Sequence, residues 1–260
     1  MEDLRQIYSP DGSPLRNYQM GLLAALLEID KFCKQNDVKY SLSAGTLLGA
    51  MRHKGFIPWD DDADTMMTRN EFDKLKGFCD KKGRLTDSLS IVYDLRPTFK
   101  YGHQIIDIFV EDVCPDSKFC GFVKLTIARM LGTLIKCKLR LLHKNVFKPF
   151  KWWVVFIPIA CPFRLTWLQH SIQKVSLWGN GKKSRYISCY TDSVKDMGHK
   201  YPSNMFDGYT TAEFEGHEFP IVKNYEMQLS ELYGDWHKIP DEKGRVWLAR
   251  VESDVKIRRK

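Results

Sequence analysis

Four carboxylates fall within five positions at Asp60, Asp61, Asp62 and Asp64, directly after Trp59. No fold holds that much like charge together without something to answer it. In an extended chain side chains alternate with period two, so Asp62 and Asp64 share a face. A divalent cation is the usual answer, and Mg²⁺ takes oxygen ligands from one or two carboxylates plus substrate phosphates. A further carboxylate, Asp107, interrupts the apolar stretch Ile105-Ile106-Asp107-Ile108-Phe109. A lone charge in a strand that looks buried needs a partner. If that strand lies beside the Asp62–Asp64 segment, three carboxylates converge, enough for two metal ions about 4 Å apart.

Two other readings of the cluster compete. Asp60, Asp62, Asp64 and Glu71 stand at positions one, three, five and twelve of a calcium loop. Position six is Thr65 where the turn needs glycine, and Pro58 blocks the entering helix. A solvated acidic turn without a ligand is the second rival. The buried-looking Asp107 and the small-residue turn upstream weigh against it. That turn, Ser43-Ala44-Gly45-Thr46, sits between a β-prone stretch (Val38 to Ser43) and a short helical segment (Leu47 to Met51). Glycine there lets backbone N–H groups approach a phosphate. Arg52, His53 and Lys54 follow as three potential phosphate neutralisers. Structural zinc has little support, since Cys114 and Cys120 are six apart with His103 the nearest imidazole.

The chain has 260 residues with 43% hydrophobic side chains, enough for one large domain or two small ones and too apolar for disorder. Seven scattered cysteines without a CxxC pair, and a polar start from Met1 to Ser9, read as reduced thiols in a cytoplasmic protein without a signal peptide. The net charge is +8, unevenly spread. Ser117 to Thr191 holds 14 Lys and Arg and no acid, so the remainder of the chain is net acidic. Within that basic stretch lies the most apolar run, Trp152 to Phe163, too short to span a bilayer and interrupted by Pro158 and Pro162. Apolar, aromatic and basic together fit a segment at an anionic membrane surface, with a buried core segment as the plainer reading. No nucleic-acid motif accompanies the charge, so no nucleic-acid partner is expected.

Periodicity predicts a helix from about Leu15 to Gln35, with Leu22, Leu26, Ile29 and Cys33 on one face. Gly55 to Pro58 reads as a turn, Asp62 to Met67 as extended. Asn70 is expected to cap a helix burying Phe72, Leu75 and Phe78. Leu89–Leu95 and Gln104–Val110 read as strands. The basic stretch is helical in pattern to Leu142, Phe214 to Val222 suggests a hairpin turning at Gly216, and a last helix runs from about Tyr225 to Tyr233, ending at Gly234. The class is α+β, or mixed α/β.

The stretch from Gly45 to Asp64, GTLLGAMRHKGFIPWDDDAD, closely resembles the LicD family, which includes phosphocholine transferases and the fukutin-related proteins. Phe214-Glu215-Gly216 and Tyr233-Gly234-Asp235-Trp236, with Pro240, look like its closing motifs. Ala44 and Val222 depart from it, where members often carry Gly and Pro. The resemblance implies one domain over 1–260, with a nucleotidyltransferase-like (polymerase-beta-type) core over 15–112, a basic helical insertion over 117–191 and a C-terminal part, 192–260, returning to the core. It implies Gly45 and Thr46 as the turn, Asp62 and Asp64 as an acidic pair, and Asp107 as the third acid, together holding Mg²⁺ or Mn²⁺. The implied donor is CDP-choline or a related CDP-alcohol, and the acceptor a hydroxyl of a glycan or lipid-linked glycan, with CMP released. Arg52, His53 and Lys54 would offset phosphate charge, and Asp60 or Asp61 could accept a proton. Trp59 would stack on a base or face a quaternary ammonium, if it does not simply anchor the turn. The expected location is the inner face of the cytoplasmic membrane. Transfer of another phospho-alcohol, such as ribitol phosphate, or of a sugar phosphate would use the same chemistry. A non-catalytic membrane adaptor is the reading from a different class.

Overall fold

A computed structural model of the chain describes residues 4–142 and 158–241. The short helix α1 (Leu4–Tyr8) leads into α2 (Pro14–Gln35). Ser13 caps α2 by accepting from the Arg16 N–H at 3.1 Å, and Pro14 fits the first turn because its missing N–H would go unpaired there anyway. The predicted stripe of Leu22, Leu26, Ile29 and Cys33 is buried.

Next come β1 (Ser41–Leu42), α3 (Ala44–His53), β2 (Asp64–Thr68) and α4 (Arg69–Gly77). The strands β3 (Leu89–Tyr93), β4 (Pro97–Tyr101) and β5 (Gln104–Cys114) follow. The sheet runs β1-β2-β5-β4-β3, and β5 is its spine. One edge of β5 pairs parallel with β2, from Asp64 opposite Asp107 to Thr68 opposite Glu111. Its other edge pairs antiparallel with β4 over the first half. The second half pairs with β6 (Tyr186–Cys189), and β6 with β7 (Tyr201–Pro202). A parallel pair needs a crossover, here supplied by α4 and the β3–β4 hairpin. The architecture is therefore mixed α/β with flanking helices, as the sequence suggests.

Several local expectations shift. The helix α3 begins at Ala44, so Gly45 and Thr46 sit in its first turn rather than in a loop before it. Strand β2 begins at Asp64, not Asp62. Thr68, not Asn70, caps α4, accepting from the Glu71 N–H at 3.4 Å. Phe78 stands at the end of α4 and is exposed, while Phe72 and Leu75 are buried. Strand β4 is an addition to the predicted elements; its Pro97 cannot donate to a ladder and is tolerated as the strand's first residue.

The basic stretch forms α5 (Lys118–Leu142) and α6 (Leu165–Leu177), which share a core with Leu95, Tyr190 and Met197. Part of the apolar run, 152–157, lies outside the described residues, as do Lys144, Lys148 and Lys151. One of the fourteen cations is not a surface charge. Lys124 is fully buried, and its Nζ donates to the carbonyls of Val113, Ser176 and Trp178 at 2.7, 2.9 and 2.8 Å. Burial brings its pKa down to about 8. Past β7, a 3₁₀ turn leads to the hairpin β8 (Tyr209–Phe214) and β9 (His217–Val222), then α7 (Tyr225–Tyr233). Glu215 and Gly216 both have positive φ, as a two-residue hairpin turn of this hand requires. Gly234 ends α7 at φ 63°.

Candidate active site

The acids converge at one end of the sheet. Asp64 lies opposite Asp107 across the parallel ladder. The backbone bond Asp107 N–H to Ala63 O at 3.0 Å joins the two strands there, and Ser43 N–H to Asp64 O at 3.0 Å and Asp64 N–H to the Thr46 hydroxyl at 2.8 Å hold the start of β2 against α3. Thr46 is 3% exposed, so its hydroxyl positions β2 and is not presented to a phosphate. Gly45 is needed for a different reason than phosphate approach: a Cβ there would stand 2.8 Å from Asp60 Oδ2. Ala44 takes φ 44°, a left-handed conformation that costs an L-residue about 1 kcal/mol and that glycine would adopt without strain.

Two clefts of about 400 Å³ each meet at these acids. Asp62, Asp64 and Tyr233 line both and so form the wall between them. The first cleft carries Asp60, Trp59, Trp236, Arg52 and Lys238. The second carries Asp107, Glu111, Arg96, Asp192 and Gln228. Burial is the first cause that pushes the Asp60 and Asp64 carboxyls well above the usual range, and the neighbouring carboxylates add to it, Asp62 on both and Asp107 on Asp64. Arg96 tempers the crowding, bridging Asp107 Oδ2 and Asp192 Oδ1 at 3.0 Å each. Among the described residues no three ligating side chains are drawn into a finished cation cage. The donor set is nonetheless all carboxylate oxygen under mutual repulsion, which suits a hard divalent ion.

The basic triplet is divided. The Arg52 guanidinium faces the first cleft and is anchored by donating to the carbonyls of Trp236 and Lys238 at 3.0 and 3.3 Å. His53 accepts from Arg52 Nε at 3.0 Å, and burial beside that cation brings its pKa down to about 4, so it is neutral at pH 7 and offsets no phosphate charge. Lys54 is the exposed left-handed cap of α3 and lines neither cleft. Asp61 also lies off both cleft walls, its N–H donating to Asp60 Oδ1 at 3.2 Å. Trp59 is 6% exposed, packed edge-on to Tyr8 and His53, and shows only part of its ring to the first cleft.

Arg96, Glu111, Asp192, Gln228, Tyr233 and Trp236 join the site from parts of the chain not singled out as site residues. Only Tyr233 and Trp236 carried a signal, as members of the closing motif.

Residues 37–101 match the family described as LicD/FKTN/FKRP, nucleotidyltransferase domain. The matched residues include the stretch from Gly45 to Asp64 and bear out the resemblance read there. Over 249 residues it is 26% identical to the lipopolysaccharide cholinephosphotransferase LicD of Haemophilus influenzae, covering 88% of this chain and 93% of that one. A 45-residue stretch is 42% identical to the uncharacterized proteins RP689 of Rickettsia prowazekii and RT0683 of Rickettsia typhi. It covers 17% of this chain, and 17% and 15% of theirs.

Proposed function

We propose that the chain moves phosphocholine from CDP-choline to a hydroxyl of a cell-surface glycan, on a nucleotidyltransferase-like core. It is an enzyme, a transferase of phosphorus-containing groups. The observation that carries the reading is the acid wall shared by two clefts, which lets two substrates meet at one row of carboxylates. The acceptor hydroxyl oxygen attacks the phosphorus next to choline, the bond from that phosphorus to the bridging oxygen breaks, and CMP leaves with that oxygen. The hydroxyl proton passes to a site carboxylate, and Asp60 and Asp64 are among those whose proton affinity burial has raised, with Glu111 and Asp192 of the second cleft. Asp62, Asp64 and Asp107 would hold Mg²⁺ or Mn²⁺, which supplies charge neutralisation on the diphosphate. Arg52 and Lys238 add positive charge to the first cleft. Incubation with a panel of CDP-alcohols and Mg²⁺ is expected to release CMP from CDP-choline. Release from CDP-ribitol instead would overturn the donor and keep the chemistry. Silence across the panel, repeated with a glycan acceptor, would leave the adaptor reading.

A membrane-surface role has support from α5, which turns Phe119, Phe122 and Met130 outward at 75%, 67% and 60% exposure within the acid-free basic stretch. No described helix is long and apolar enough to cross a membrane. The protein is expected to float with phosphatidylglycerol-containing vesicles at low salt and to detach as salt rises. Failure to bind at low salt would end this reading.

A further inference from the structure

Two buried polar atoms on the wall of the second cleft have no hydrogen-bond partner among the described residues: Glu111 Oε2 and Gln228 Oε1. Their residues are 4% and 2% exposed. Such atoms are rare, and each asks for an explanation. Neither is a stray of loose packing. Glu111 stands two alternations along β5 from Asp107, so the two side chains share one face of the sheet. Gln228 is held by its amide nitrogen, which donates to Ser43 Oγ at 2.9 Å and contacts Met66 Sδ at 3.2 Å. That leaves its carbonyl oxygen over.

The cleft's charge narrows what could answer these atoms. Asp62, Asp64, Asp107, Glu111, Asp192 and Asp196 all line it, against Arg96 and His199. An anionic diphosphate is disfavoured there more than in the first cleft, where Asp60, Asp62, Asp64 and Asp235 face Arg52 and Lys238, except at the Asp62–Asp64–Asp107 end, where the divalent ion of the transferase reading would offset its charge. A trimethylammonium group would be welcome to the carboxylates, but it has no N–H and leaves both oxygens as they are. The cationic place between Asp107 and Asp192 is taken by Arg96. A neutral ligand rich in hydroxyl groups meets every condition, because each hydroxyl donates one hydrogen bond and accepts others. We infer that the second cleft is the acceptor subsite, taking a sugar ring whose hydroxyls pair with Glu111 Oε2 and donate to Gln228 Oε1. The word acceptor rests on the transferase reading above; the hydroxyl preference rests on the cleft alone. The first cleft, with Arg52, Lys238 and its aromatic walls, is left to the nucleotide donor.

Saturation-transfer NMR on the full chain tests this with methyl glucoside, methyl galactoside, choline chloride and CDP-choline as probes. The wild type is expected to bind a methyl glycoside, with choline not competing. Glu111→Gln and Gln228→Met are each expected to weaken that binding at least tenfold while CDP-choline binding stays, which also shows that the variants are folded. Three results would overturn the inference: no glycoside binding to the wild type, undiminished glycoside binding in both variants, or loss of choline and CDP-choline binding in its place. Should glycoside binding fall as expected while the wild type never turns over CDP-choline, the transferase reading fails and the hydroxyl subsite stands.

Discussion

Asp64→Asn is expected to cut CMP release from CDP-choline about 10³-fold and, at pH 7, to raise the melting temperature. The first effect follows from losing a charge aimed at the reacting phosphate, the kind of electrostatic contribution that is commonly largest in such sites. The second follows from the cost of that charge. Asp64 is buried, and Asp62, Asp107 and Asp60 all oppose its ionisation. Its carboxyl therefore binds a proton more tightly in the folded chain than in the unfolded one. The folded state is fully favoured below the unfolded pKa of about 4, and loses that advantage as pH rises through the raised folded value. Asparagine removes the penalty, so the melting temperature at pH 7 rises. The gain should vanish below about pH 4. Thermal melts of both proteins across pH, beside CMP release, check both halves. Full activity in a well-folded variant would sink the mechanism.

Glu215→Ala is expected to have the largest effect on stability, a loss of about 3 kcal/mol, from breaking a mostly buried ion pair. The Glu215 carboxylate accepts from Arg16 Nη1 and Nη2 at 2.9 and 2.6 Å and from the Phe56 N–H at 3.0 Å. Its own N–H donates to Lys54 O at 2.8 Å. One residue of the hairpin thus fastens α2 to the loop that delivers the acid run. Gly55 makes room for it, since a Cβ there would stand 2.5 Å from Glu215 Oε1. Burial works against the charge, but Arg16 and the Phe56 N–H outweigh it and hold the carboxyl below its ordinary range. The sign is opposite to that of Asp64: this stability is present above the unfolded pKa and is lost as pH falls through the lower folded value. Urea denaturation at pH 7 should show the deficit, and it should shrink in acid. An unchanged urea midpoint would show that the pair holds nothing together.

These two residues mark how far the sequence could be read. The acid run and Asp107 were legible because carboxylates are costly, and their spacing implied a shared face; the register that sets Asp64 against Asp107 adds the geometry. Glu215 was visible as part of a motif but not as a fastener, because its partners lie 199 and 159 positions away. Arg96, Glu111 and Gln228 left no local pattern. Each is a single polar residue in an ordinary context, and only the fold puts them on one cleft wall. Thr46 and His53 were visible but misread, since a hydroxyl spent on a backbone N–H and an imidazole neutralised by burial look no different in sequence from available ones. Strand β4 opens on Pro97, a residue that signals no strand, and the buried Lys124 was hidden by the thirteen other cations of its stretch.

The chain leaves the sheet at Cys114 and re-enters at Tyr186, directly opposite it in the ladder. Ser184 ties the two ends together, its hydroxyl hydrogen-bonded to Cys114 O and to Asp116 Oδ1 at 2.9 Å. In chain connection the insertion is therefore grafted onto the scaffold at one point of the ladder, while its described helices also pack on Leu95, Tyr190 and Met197. A graft of this kind can lengthen, shorten or change its charge over evolutionary time without shifting a single rung between β2 and β5. Proteins with one catalytic sheet can in that way be fitted to different surfaces, with the docking surface and the chemistry free to diverge separately.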